Sequence, residues 1–101
     1  MVKKNFTIEE LIINYARKKN EGDTPIIFFL SWEDGKVANQ GYIIELCKDG
    51  TGIAQLFDWF MGEKSDTLVF TKAYLDTCTF YMTDMAMRSA ISHAKSEGRA
   101  W

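Results

Sequence analysis

From residue 8 the apolar positions recur at helical spacing, with Ile8, Leu11, Ile12 and Tyr15 on one face. Thr7 stands three positions before Glu10 as a capping box, and Phe6 and Leu11 take the two places of a hydrophobic staple. Arg17, Lys18 and Lys19 lie at the C-terminal end, where the helix dipole favours cations, and Gly22 can close the helix. The period then changes. Pro25 to Trp32 holds paired Ile and paired Phe in a run too short and too uniformly apolar for a helical stripe, which predicts a strand. Asp34-Gly35 predicts a two-residue hairpin turn with Glu33 opposite Lys36. The return strand is interrupted at Asn39-Gln40-Gly41, where a bulge near Gly41 is expected, and resumes over Tyr42–Cys47. Thr24-Pro25 and Gly35 also fit a helix start and stop, so a helical reading of this stretch stays open.

Thr51 to Met61 reads as a second helix, with Ile53, Leu56, Phe57 and Phe60 on one face and Gly62 as its stop. Thr67–Thr71 and Thr77–Thr83 read as strands; the second alternates Cys78, Phe80 and Met82 against Thr79, Tyr81 and Thr83. A last helix is expected from Asp84 to Glu97, with Met87, Ala90, Ile91 and Ala94 inward and Gly98 as terminator. The order α-β-β-α-β-β-α predicts an α+β domain: an antiparallel sheet of three to four strands with about three helices packed on it. A mostly helical bundle is the alternative. No repeat or linker divides residues 1–101, which are read as one compact domain.

Composition narrows the class. The chain has 101 residues, 47% apolar and 26% charged, an ordinary globular balance. Its longest apolar run, Ile26–Leu30, is far below the ~20 residues of a membrane span. Glu9 and Glu10 interrupt any signal-peptide core after Lys3 and Lys4, so a cytoplasmic location is expected. Cys47 and Cys78 are far apart, with no CxxC pair, and read as small buried core residues, a disulfide between them being the lesser alternative. The net charge of -2 hides an uneven layout. Residues 1–20 carry five basic and two acidic side chains, residues 21–84 four and eleven, and residues 85–101 three and one. An acidic middle fits a basic partner surface, set against the plainer reading of a solvated exterior. The basic residues are too dispersed for a track along nucleic acid.

No catalytic constellation emerges. Ser89, His93 and Glu97 share one helix face, where side chains run abreast and do not converge on a substrate carbonyl. One His and two distant Cys make no zinc site, and Asp34-Gly35 and Asp49-Gly50 lack the spaced acids of a calcium loop. Gly50-Thr51-Gly52, between an expected strand and an expected helix, is the best candidate for a phosphate or nucleotide loop. It lacks the third Gly of the dinucleotide pattern, since Gln55 stands there, and the Lys-Ser/Thr pair of a P-loop. The carboxylate pairs Glu33/Asp34 and Asp58/Glu63 would need an apolar cleft to do acid–base work. The expectation is a non-enzyme without cofactor or metal.

An apolar surplus is left over. On a strand, Ile26, Phe28, Leu30 and Trp32 point one way and Ile27 and Phe29 the other, while Tyr42, Ile44 and Leu46 oppose Ile43 and Cys47. A sheet apolar on both sides is covered on both sides. One helix layer covers one face; the second needs a crossing helix, a second copy of the chain, or a partner. Trp32, Trp59 and Trp101 are set apart from the predicted core faces, Trp59 near Asp58 and Glu63. Trp32, Asp58, Trp59, Glu63 and Trp101 are therefore the candidate protein-binding residues. The expected function is a protein-binding module that inhibits or antagonises another protein. By size and lack of chemistry alone it is analogous to toxin-immunity proteins and phage-encoded anti-defence inhibitors. A ligand-binding domain using Gly50–Gly52 and a self-associating subunit, such as a homodimer, are the alternatives.

Overall fold

Thr7 accepts a hydrogen bond from the Glu10 amide while the Glu10 side chain accepts from the Thr7 amide, both at 3.1 Å, and this capping box starts the first helix. In the computed structural model, which describes residues 7–23, 25–58 and 63–100 (side chains in the last segment from residue 66), α1 spans Ile8–Asn20. It buries Ile8, Leu11 and Tyr15, the expected face; Phe6 of the staple lies outside the described residues.

Four strands follow before the next helix: β1 (Phe28–Glu33), β2 (Lys36–Leu46), β3 (Gly52–Asp58) and β4 (Glu63–Phe70). A short α2 (Lys72–Leu75), β5 (Cys78–Tyr81) and α3 (Asp84–Ser96) complete the chain. The strands form one antiparallel sheet in the order β4-β3-β2-β1-β5. The fold is α+β, with five strands rather than three to four, and it is not a helical bundle.

The predicted second helix is a strand. Ile53, Leu56 and Phe57 belong to β3, paired with β2 on one side and β4 on the other. Their helix-like spacing arises because Leu56 packs toward one side of the sheet and Phe57 toward the other. Residues 59–62, with Trp59, Phe60 and the Gly62 stop, lie outside the described residues. The β1–β2 hairpin matches expectation: Glu33 pairs with Lys36 across Asp34 and Gly35, whose φ angles of 54° and 76° are the two positive values of a primed turn.

The two bulges of β2 are not at Gly41. One lies where Ser31 and Trp32 face Asn39 and Val37, and the other where Ile43 and Glu45 face Ala54 and Ile53. Ala38 and Ile44 are the inserted residues. The second bulge puts Ile44 and Glu45 together opposite Ile53, so Leu46 joins Ile43 on the α1 side instead of Tyr42 and Ile44. Cys78 is buried as expected, but Cys47 is exposed where the chain turns out of β2; both are free thiols.

Two cores sandwich the sheet. On one side α1 and α2 cover Ile27, Phe29, Ile43, Ala54, Phe70 and Phe80. On the other, Met87, Ile91 and Ala94 of α3 close over Leu30 and Val37, with Phe28, Trp32 and Tyr81 at the margin. Arg99 accepts the Val37 amide through its carbonyl at 2.9 Å, and Ala100 forms a parallel bridge to Val37, which ties the chain after α3 to β2. A crossing helix thus supplies the second layer that the apolar strands require.

Candidate functional site

That second layer is incomplete. α3 packs on β1, β5 and β2, with no comparable packing on β3 or β4 among the described residues. Ala54, Leu68 and Phe70 point to the α1 side, so alternation directs Ile53 and its register partner Val69 to the α3 side, beyond the helix. Val69 is 77% exposed and Ile44 48%. Ile53 between them is half-buried.

An aromatic row links this open area to the α3 core. Phe28, Tyr42 and Phe57 lie side by side across β1, β2 and β3, with ring centroids 6.1 and 6.3 Å apart. The continuous surface therefore runs from the margin of α3 through Tyr42 and Phe57 to Ile53, Ile44 and Val69. Its polar members include Glu45, exposed beside Ile53, and Thr67, opposite Gln55. Sequence reasoning missed Ile53, Phe57 and Val69 as a surface, because it placed the first two on a helix. The doubly apolar strands were the available signal.

Of the sequence-predicted site residues, Trp32 and Asp58 have described side chains. Trp32, next to last in β1, is half-buried; its indole N–H donates to the Thr79 hydroxyl at 3.2 Å, and the Arg99 guanidinium lies 5.6 Å from its ring centre. These contacts make it a closing member of the α3 core. Asp58 ends β3 next to Phe57 and faces Glu63 across the β3–β4 pair. Trp59 and Trp101 lie outside the described residues.

The phosphate-loop geometry is overturned at Gly50-Thr51-Gly52. The segment is a hairpin turn from β2 into β3, with no helix N-terminus behind it. The Asp49 carboxylate accepts from the Thr51 hydroxyl at 2.6 Å and from its amide at 3.0 Å. Those bonds, from the hydroxyl first and the amide next, hold the Asp49 carboxyl below its ordinary value. The donors a phosphate would use already hold an anion. At the C-terminal end of α3, the capping Glu97 lies 3.2 Å from His93, whose side chain is 71% exposed, and the pair stands on a solvent-facing surface. Among the described residues no three His, Cys, Asp or Glu side chains are grouped to hold a metal ion, and no helix is long and apolar enough to cross a membrane.

The class defined by these features is a small α+β domain with helices on both faces of a five-stranded antiparallel sheet. No family model matches the chain, and comparison with curated proteins and with solved structures finds no match.

Proposed function

We propose that this chain is a non-catalytic protein-binding module that acts by occupying another protein, as an inhibitor or antagonist does. The observation that carries the proposal is the part of the sheet beyond α3, where the exposed Ile44 and Val69 and the half-buried Ile53 stand beside Tyr42 and Phe57, and where α3 does not pack on β3 or β4 as it does on β1, β5 and β2 among the described residues. Contiguous apolar area with aromatic members is what protein interfaces place at their centre. Glu45 on this face and Asp58 at the end of β3 supply acidic charge beside it, which fits a partner whose apolar contact is rimmed by Lys or Arg. Binding there needs no rearrangement of either core.

The test is capture from the native host with the tagged chain and its Val69→Asp and Ile53→Asp variants, with Ser92→Asp on the exposed side of α3 as control. One discrete protein retained by the parent and the control, and lost by both face variants at equal folded concentration, supports the reading. Retention by all four proteins places the contact elsewhere. Light scattering of the isolated chain separates a second copy from a different partner: a concentration-dependent dimer abolished by Val69→Asp replaces the antagonist by a self-associating subunit.

A further inference from the structure

A concavity lies on the side of the sheet opposite that open face. The last two turns of α1, Asp23, Pro25, Ile26 and Ile27 ahead of β1, and Met82 after β5 line a cleft of about 520 Å³, within the range of small-molecule sites. Its base is apolar and fixed, since Tyr15 and Ile27 are 5% and 2% exposed members of the α1 core. Its walls are apolar and open: Ile26 is 53% exposed and Met82 44%, and both line the cleft.

The mouth carries the charge. Arg17 and Lys18 line it from α1, against one carboxylate, Asp23. The Arg17 guanidinium donates to the Asn14 side-chain oxygen at 2.9 Å, which orients the fork while leaving its other N–H groups available. Neither Arg17 nor Lys18 is ion-paired among the described residues. A helix C-terminus ordinarily repels anions through its unpaired carbonyls. Here the amides of Glu21, Gly22 and Asp23 take the carbonyls of Arg17, Lys19 and Lys18, so that repulsion is reduced.

We infer that this cleft binds a small amphiphilic monoanion, with an apolar body on Ile27, Ile26 and Met82 and a single carboxylate at Arg17 and Lys18. Asp23 sets the charge limit: two cations and one anion at the mouth favour one negative charge and oppose a polyanion such as a nucleotide phosphate. The site is independent of the Ile53–Val69 face, and each can fail without the other.

The test is an NMR amide titration with phenylbutyrate and with phenylbutylamine, which offer the same apolar body with opposite charge. Saturable shifts confined to amides around Lys18, Ile26, Ile27 and Met82 are expected with the carboxylate. The amine should bind roughly tenfold more weakly or not at all. Arg17→Glu should lower carboxylate affinity by a similar factor, and Asp23→Asn should raise it, both with the remaining spectrum unchanged. Equal binding of acid and amine, shifts that map to Ile53 and Val69, or no saturation would overturn the assignment. If Arg17→Glu disturbs the whole spectrum, the comparison of acid with amine and the Asp23→Asn variant still decide it.

Discussion

A Cβ on Gly41 would stand 2.0 Å from the backbone carbonyl oxygen of Gln55 on the adjacent strand, closer than any side-chain carbon can approach. Gly41 also sits opposite Phe29 in the β1–β2 register, beneath the α1 core. Replacing it by Ala forces β2 and β3 apart where they carry the first core. Gly41→Ala should cost roughly 2–3 kcal/mol of stability, read as a lower denaturant midpoint at unchanged m-value; a parental midpoint would contradict the close approach.

The two sides of the sheet should respond unequally to truncation. Phe29 is 1% exposed and meets Tyr74 edge to face, with centroids 6.2 Å apart. Phe29→Ala should cost about 3–5 kcal/mol. Val69→Ala removes side-chain atoms that already meet solvent and should change stability by no more than about 0.5 kcal/mol. A large loss at Val69 in the isolated monomer would mean that something in the chain covers it.

Tyr74 carries a buried hydroxyl that makes no hydrogen bond of normal geometry among the described residues, although Ser31 and Asn39 lie close to it. Burial raises its pKa above 10, and the opposing influence of Ser31 and Asn39 is the weaker one. The neutral phenol is therefore the folded form, and its contribution is present below pH 10 and lost as pH rises from there toward the raised value. Tyr74→Phe removes the unpaired group, so at neutral pH the variant should equal the parent or exceed it by about 1 kcal/mol. Its advantage should widen above pH 10, as followed by denaturant midpoints; a gap that closes there would count against a buried phenol.

Glu10 behaves in the opposite sense. Hydrogen bonds from Thr7, its side chain first and its backbone amide second, hold the Glu10 carboxyl below its ordinary 4.5. A carboxylate favoured by folding stabilises above that value, and the contribution disappears as pH falls through the lowered one. The stability difference between parent and Glu10→Gln should thus shrink on acidification below pH 4.5. A difference constant down to the acid transition would show that the capping box does not depend on the charge.

Local signals were readable where one contact decides the structure. Thr7 and Glu10 specify the start of α1 by themselves, and Asp34-Gly35 specifies the β1–β2 turn because few residue pairs accept two positive φ angles. The apolar strands also announced a second covering layer, which α3 supplies. β3 was hidden because both of its sides are apolar: with Leu56 and Phe57 adjacent, the alternation that marks a strand is lost. Its identity depends on pairing with β2 and β4, which no local window contains. The doubly apolar strands signalled that an apolar face existed, but not its position, which is set where Ile53 and Val69 meet across that pair.

The position of β5 has a consequence for biosynthesis. Cys78–Tyr81 pairs with Phe28–Ser31, emerging from the ribosome long after it, and until then the flank of β1 with Phe28, Phe29 and Leu30 has no neighbour. Closing so distant a pairing is slow relative to a hairpin. A nascent or truncated chain ending near Phe70 would present an uncapped, strongly apolar strand, the kind of template on which chains stack. The four residues of β5 remove that template when they pair with β1.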